Sequence, residues 1–211
     1  EDPDDPGGYF ILNGNERVLI TVEDLASNKM FFERKKTGPS KYIAKIFSER
    51  GSYRIPHIIE QMKDGVLYLS FTRFKRIPII DLIKSLGLVK DEEISKTISE
   101  KLVYDDVLVN LFNSVNLKKQ NDSLESVAKH MGISQPREIQ IEKALENLDK
   151  YLLPHLGISE KDRLAKAYNL CKLIKRFLII AQKGIVIDKD HYSNKRLKLS
   201  GDLLTDLFRV N

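Results

Sequence analysis

The spacing of the apolar residues changes near residue 78, and this change limits the folds that the chain can adopt. Before residue 76, short apolar runs separated by Asn, Asp, Gly and Pro predict β-strands. From Pro78 onward, apolar residues recur every three or four positions, which predicts helices. Strands followed by helices, without alternation, predict an α+β architecture: a strand-rich N-terminal part, with a hairpin and a small antiparallel sheet, and then a mainly helical part.

The predicted elements follow from these two patterns. Residues 9–12 and 17–20 flank Asn13-Gly14, which predicts a hairpin because both turn residues tolerate positive φ. Further strands are predicted at 30–32, 42–47, 55–59 and 66–71, and short helices at 79–86, 91–101, 105–117 and 122–131. Two longer amphipathic helices are predicted at 141–152 and 164–181, and a last helix with Ser200 as its N-cap and Asp202 in its first turn.

Composition narrows the functional classes. No apolar run among the 211 residues approaches the roughly 20 needed to span a bilayer. The N-terminus has no apolar core of a signal peptide, and its abrupt start is typical of a piece of a longer protein. The single cysteine, Cys171, excludes an intrachain disulfide, predicts an intracellular setting and lies in a helical pattern that predicts an inert core thiol. A net charge of +5 permits a nucleic-acid partner without requiring one.

No catalytic set is predicted. The sequence has no phosphate-binding Gly-rich loop, no nucleophile elbow and no Cys/His cluster at zinc spacing. The four histidines are scattered, and we expect surface or capping roles rather than metal binding for His57, His130, His155 and His191.

A polar segment near the C-terminus is the strongest candidate for function. Asp188 and Asp190 could hold a divalent cation, but the favoured interpretation is that they cap turns and pair with Lys189, Lys195 or Arg196, because a two-metal site usually needs further acidic ligands. We therefore predict no metal site. The segment is predicted to be a charged loop between two apolar anchors, and its basic residues could bind phosphates or could form a solvated face.

Two stretches carry a family resemblance. Residues 7–20, GGYFILNGNERVLI, resemble the G-G-Y-F-I-I-N-G-x-E-K/R-V-L-I segment of the second-largest subunit of archaeal and eukaryotic multisubunit RNA polymerases, with Leu12 in place of Ile. Residues 188–204, DKDHYSNKRLKLSGDLL, are similar to that family's D-x-D-H block, which has a bacterial relative ending in N-R-R. Both motifs occur in the family's order and at about its separation.

The resemblance implies an organisation and a role. It implies that residues 1–22 end the protrusion, that residues 23–187 form the lobe, and that residues 188–211 form a basic loop and a helix leaving the lobe. The lobe would form one wall of the DNA cleft near downstream DNA and a docking surface for transcription factors. The activity would be nucleotidyl transfer by the assembled enzyme, with Mg²⁺ held by the largest subunit. The isolated chain would be inactive, bind no cofactor and work in the cytoplasm of an archaeon, or in a eukaryotic nucleus.

The resemblance also implies which residues contact DNA. In bacterial relatives, the positions that match Asp190 and Lys195 help to hold a base of the non-template strand. Lys in place of Arg loses the bidentate geometry, so a charge contact is favoured over base capture. The DNA-contact candidates are Asp190, Lys195, Arg196 and Lys198. Two alternatives stay open: a free-standing nucleic-acid-binding helical protein, and a protein-interaction module in which residues 188–198 only brace the last helix. If the side chains of Lys195 and Arg196 point to solvent, the nucleic-acid-binding role is favoured. If they are buried against carboxylates, the role of a structural brace is favoured.

Overall fold

The computed structural model describes residues 3–35, 37–51, 53–98, 104–185 and 187–210, and it confirms the α+β prediction. The strands are β1 Phe10–Leu12, β2 Asn15–Arg17, β3 Val22–Leu25, β4 Met30–Arg34, β5 Ser40–Arg50, β6 Tyr53–Met62, β7 Leu67–Phe71, β8 Phe74–Pro78 and β9 Lys195–Lys198. The helices are α1 Ile79–Ser85, α2 Asp91–Ile98, α3 Tyr104–Asn113, α4 Gln120–His130, α5 Arg137–Tyr151, α6 Arg163–Lys183 and α7 Ser200–Val210.

Contacts divide the chain into two units. The terminal unit combines Glu1–Ala26 with Asp188–Asn211, and the central unit is Ser27–Ile187. The predicted boundaries of protrusion and lobe stay a prediction. Strands β3, β8 and β9 were not predicted, and residues 99–101 of the second predicted helix lie outside the described residues.

The predicted hairpin forms in the terminal unit. Strands β1 and β2 pair with Leu12 opposite Asn15, so the turn contains only Asn13 and Gly14. Both turn residues have positive φ, 52° and 77°, as the primed turns of two-residue hairpins require. Strand β1 begins one residue later than predicted, and β2 begins two residues earlier than the predicted strand 17–20. Only Arg17 of that predicted strand lies in β2, and residues 18–20 follow it without strand structure.

The central unit is built on one five-stranded antiparallel meander in the order β4-β5-β6-β7-β8. A cross-strand row of buried side chains runs across the sheet and enters the main hydrophobic core: Phe32, Ala44, Ile59, Leu69 and Ile77. The helices of the unit complete that core, and α6 contributes its face to β4 and α1. Burial alternates along β7 and most of β6, whereas Met30, Phe31 and Phe32 of β4 are all buried. The cross-strand row nevertheless places one face of the sheet against the helices.

Helix α6 buries most of the predicted stripe, namely Ala167, Cys171, Ile174, Leu178 and Ala181, but not all of it. Leu164 and Tyr168 were expected in the core but are about half exposed, whereas Phe177 is fully buried. The ring of Phe177 packs edge-on against Phe32, with centroids 5.1 Å apart. Cys171 is buried as predicted, and burial raises the pKa of its thiol to about 12, which keeps it protonated and unreactive.

A fully buried histidine joins the sheet to the end of α5. His57 was expected at the surface or at a cap, but it lies on β6 with no exposed area. Its Nδ1 is 3.1 Å from the Ile55 carbonyl oxygen, and its Nε2 accepts the Leu153 N–H at 3.0 Å. The ring stacks on Phe71 at 5.7 Å. Burial lowers the pKa of His57 to about 4, and the two hydrogen bonds need the neutral ring, with Nδ1 donating and Nε2 accepting.

A buried lysine connects α1 to the segment after α3. The Lys84 ammonium donates to the carbonyl oxygens of Ser114 at 2.9 Å and Leu117 at 3.2 Å. It also pairs with Asp91 at 2.8 Å. These three acceptors compensate the burial of its charge.

Within the described ranges, no helix combines the length and the apolar character that crossing a bilayer would require.

Candidate nucleic-acid interface

The basic segment that was predicted as a loop contains a strand. Strand β9, Lys195–Lys198, pairs antiparallel with β3, Val22–Leu25, to form a two-stranded ribbon. The prediction of an irregular loop is therefore wrong for these four residues, because the partner strand lies more than 170 positions earlier in the chain and leaves no local signal. The backbone of β9 is held in place by hydrogen bonds, so its side chains have defined directions.

The segment before β9 is a series of capped turns. The Asp188 carboxylate accepts the Asp190 N–H at 2.9 Å, and the Asp188 carbonyl accepts from the Asn194 side chain. His191 Nδ1 accepts the Ser193 N–H at 3.1 Å and so caps the short 3-10 turn Tyr192–Asn194. The predicted turn-capping role is thus found for Asp188. His191 has the capping role that was expected of it.

Lys195 is held by two carboxylates. Its Nζ donates to Glu23 Oε1 at 2.6 Å and lies 3.6 Å from Asp190 Oδ1. The Lys195 side chain is 23% exposed. The hydrogen bond to Glu23 is the main reason that the pKa of Lys195 is raised above its usual value, with smaller contributions from the two negative charges. The bracing arrangement is therefore the one found for this residue.

Arg196 lies on the opposite face of the ribbon from Lys195, because adjacent residues of a strand alternate. It stands across from Asp24 in the ribbon register and is exposed. Its guanidinium donates to the carbonyl oxygens of Lys195 at 2.7 Å and of Ser193 at 3.4 Å. Both contacts use Nη1 and orient a planar cation, whose Nε and Nη2 donors can bind an anion in a bidentate manner.

Lys198 connects the ribbon to the last helix. Its Nζ pairs with Asp206 of α7 at 3.2 Å, and its side chain is largely covered. The prediction that Ser200 is the N-cap is wrong by one position, because α7 already includes Ser200 and the Asp202 carboxylate accepts the Leu199 N–H at 3.1 Å. Asp202 lies in the first turn as predicted and compensates the helix dipole there.

Asp188 and Asp190 were also considered as ligands of a divalent cation, which would need further acidic ligands nearby. Among the residues that the structure describes, no group of three or more His, Cys, Asp or Glu side chains is placed to hold a metal ion. Asp188 faces a backbone N–H, and Asp190 faces the Lys195 ammonium. These contacts give each carboxylate a local electrostatic role.

The ribbon has one exposed arginine and two lysines that already face carboxylates. Sequence reasoning identified all three cations but missed Glu23 and Asp206, the acids that lie against Lys195 and Lys198. For Glu23, the sequence signal was the acidic pair Glu23-Asp24, which by itself does not reveal a distant basic strand. This arrangement can bind a polyanion chiefly through Arg196.

The chain matches a known protein family over most of its length. The family described as RNA polymerase Rpb2, domain 2, matches residues 26–198. The chain belongs to the RNA polymerase Rpb2 domain 2 family. This match includes the whole central unit and strand β9, so the Rpb2 domain 2 match contains all four predicted contact residues.

Individual relatives agree with the Rpb2 domain 2 assignment. DNA-directed RNA polymerase subunit Rpo2 of Saccharolobus solfataricus is 42% identical over 214 residues, which cover 100% of this chain and 19% of that protein. Subunit Rpo2N of Halobacterium salinarum is 41% identical over 217 residues, covering 100% of this chain and 42% of that protein. Rpo2N of Methanocaldococcus jannaschii is 37% identical over 223 residues, 99% of this chain and 43% of that protein.

The chain therefore spans between about a fifth and less than half of the relatives that it matches. The resemblance to the second-largest polymerase subunit, and the expectation of an archaeal type, are both confirmed by these relatives.

Proposed function

We propose that this chain works in transcription as part of the second-largest subunit of a DNA-directed RNA polymerase. The observation that carries the proposal is the alignment of the entire chain, at 42% identity, with a subunit of that name. The other subunits of the polymerase are then its partners. The setting that we propose is the cytoplasm of an archaeon.

The central unit, in this proposal, is an architectural wall rather than a catalyst. It contributes the lobe that borders the DNA cleft near downstream DNA and offers a surface to transcription factors. Its fold suits such a role, because a broad sheet backed by helices with one continuous core forms a rigid support. The Mg²⁺ needed for nucleotidyl transfer is bound by another subunit.

This division of labour predicts that the isolated chain does not extend a primer. The assay would supply template, primer, nucleoside triphosphates and Mg²⁺ and would measure extension against a blank. We expect none. Extension that is lost in Asp188→Asn would contradict the proposal, since it would give the Asp-x-Asp segment a catalytic role.

The ribbon is the part of the chain that we propose to contact DNA, with Arg196 as its main cation. Exposure and a planar guanidinium held by two carbonyl oxygens suit phosphate binding. Each phosphate contact makes the logarithm of affinity fall with the logarithm of salt by about 0.9. Losing one contact should therefore flatten this slope by about one unit and weaken binding to all sequences about equally.

The test is Arg196→Ala in the assembled polymerase. Affinity for a promoter DNA with a premelted bubble would be measured across several salt concentrations and several downstream sequences. The matched control is Arg17→Ala, which removes an exposed arginine of β2 in the same unit. If Arg196→Ala keeps the DNA affinity and the salt dependence of the parent polymerase, Arg196 does not contact DNA.

A second function is favoured by a specific observation. Lys198 pairs with Asp206 of α7, as a brace for that helix would require, and the pairing of Lys195 with Glu23 joins the two strands of the ribbon. In a pure protein-interaction module, the ribbon would only position α7, whose Leu207 and Phe208 are exposed. Such a module predicts that Arg196→Ala leaves DNA binding unchanged, so the same experiment separates the two functions.

A further inference from the structure

The ribbon carries fewer available cations than its sequence suggests. Three basic side chains lie on β9, and two of them are within 3.2 Å of a carboxylate from another element. Lys195 is the more strongly neutralised, because Glu23 and Asp190 both face it. The position of Lys195 in the polar motif suggested a DNA contact, whereas the two carboxylates beside its ammonium would weaken such a contact.

Glu23 is the closer and better anchored of the two acids. Its carboxylate is 2.6 Å from Lys195 Nζ, compared with 3.6 Å for Asp190. The Asp190 side chain is 92% exposed and the Glu23 side chain 41%. Glu23 belongs to β3, and the register places Leu25 opposite Lys195 and Glu23 opposite Leu197, so Glu23 and Lys195 share one face of the ribbon.

Pairing with Glu23 changes what Lys195 can offer to a nucleic acid. A phosphate that approaches the ammonium meets the Glu23 carboxylate beside it, and the two anions repel each other at short range. An ammonium that is already neutralised also releases little net counterion from DNA, because counterion release follows the net positive charge brought to the phosphates. Glu23 therefore competes with phosphate for the same cation.

We propose that Glu23 is an internal counter-ion that withholds Lys195 from nucleic acid, so that the ribbon presents Arg196 as its phosphate-binding cation. The inference rests on the proposed DNA contact and assigns a positioning residue that lies outside the C-terminal polar motif. Glu23 sets how many cations the ribbon contributes, and the ribbon pairing of β3 with β9 is what brings it there.

The experiment is Glu23→Gln in the full subunit of the assembled polymerase, with the premelted promoter DNA as the probe. Glutamine keeps an oxygen that can accept from Lys195 but removes the charge. We expect tighter binding at low salt and a salt slope steeper by about one unit, because Lys195 gains a phosphate. The advantage over the parent should shrink about three- to fourfold across a fourfold rise in salt.

The gain in DNA affinity that we expect from Glu23→Gln must depend on Lys195. Glu23→Gln combined with Lys195→Ala should lose the gain and return to a slope no steeper than that of the parent. The control is Glu16→Gln, which makes the same charge change on an exposed residue of β2 in the same unit. A gain of equal size in Glu16→Gln, or a gain that survives in the double variant, would show a general charge effect and overturn the inference.

Failure of the inference and failure of the DNA contact are distinguishable. If Arg196→Ala weakens binding but Glu23→Gln leaves it unchanged or weakens it, Glu23 is a brace and the DNA contact stands. If Arg196→Ala has no effect, the DNA contact itself is wrong. Should the Glu23→Gln subunit not assemble, Glu23→Asp withdraws the carboxylate by one methylene and keeps the charge. A smaller gain of the same sign supports the inference, and no gain refutes it.

Discussion

The loss of stability on mild acidification from neutral pH should be set largely by one buried side chain, His57. Burial holds its pKa at about 4 in the folded chain, below the ordinary value of 6.5. The unfolded chain therefore takes up a proton as the pH falls through 6.5, while the folded chain does not until the pH approaches 4. Stability from this source is complete above the unfolded pKa and is lost progressively as the pH falls towards the folded pKa.

The magnitude follows from the size of the pKa change. A change of about 2.5 units corresponds to roughly 3 kcal/mol of unfolding free energy over the whole range. About 2 kcal/mol of it should be lost between about pH 7.5 and about pH 5, before most carboxylates titrate. The pKa of half-buried His155 is also lowered, chiefly by burial, so it adds a loss of the same sign.

The assay is urea unfolding followed by circular dichroism at several pH values, comparing the parent chain with His57→Gln. Glutamine cannot be protonated, and its amide oxygen can still accept the Leu153 N–H. We expect the variant to be less stable at neutral pH, since it loses the stacking on Phe71 and the hydrogen bond to Ile55. It should lose about 2 kcal/mol less than the parent on acidification.

The control for this comparison is His130→Gln, because His130 is exposed at the end of α4. It should keep the parental pH dependence. If parent and His57→Gln lose the same free energy between about pH 7.5 and about pH 5, His57 does not couple folding to pH and the argument from its burial is wrong.

Three further changes test the packing. Lys84→Ala should lower the unfolding free energy by about 2–4 kcal/mol in urea, because the carbonyls of Ser114 and Leu117 lose their charged donor. Phe177→Ala should lower the unfolding free energy by about 3–5 kcal/mol, because it opens a cavity beside Phe32. Tyr168→Ala, on the exposed side of the same helix, should lower it by about 1 kcal/mol or less. Equal losses of unfolding free energy would refute the burial assigned to α6. Gly14→Ala should destabilise the hairpin by about 1 kcal/mol, because φ at this position is 77°. Amide exchange should then be faster in β1 and β2 and unchanged in α6.

Amide exchange also bears on the hairpin itself, which pairs only β1 with β2 in its sheet. A two-stranded hairpin is marginal in water, so its amides should exchange much faster than those of α6 in this chain. Equal protection would show that the terminal unit holds the hairpin without further strands.

Local chemistry was enough to predict several features of this protein. The Asn13-Gly14 turn was predictable because a two-residue primed turn needs positive φ at both positions, which these residues tolerate. The change from strands to helices near Pro78 was predictable because each element needs its own apolar spacing. The family was also readable from the sequence, since two long motifs carry it.

Only the tertiary structure decided how the candidate contact residues are used. The pairing of β3 with β9 joins residues about 170 positions apart, and no local spacing encodes such a partner. That register places Glu23 against Lys195 and leaves Arg196 on the other face, which changed the order of the candidates.

The same limit applies inside the central unit. His57 is buried because α5 ends above β6, and Phe177 rather than Tyr168 enters the core because β4 lies beside that face of α6. Apolar spacing determines that a helix has a buried face, but the neighbouring elements determine which side chains that face contains. Charges and polar groups depend even more on non-local partners, because their energy depends on which group comes within a few ångströms.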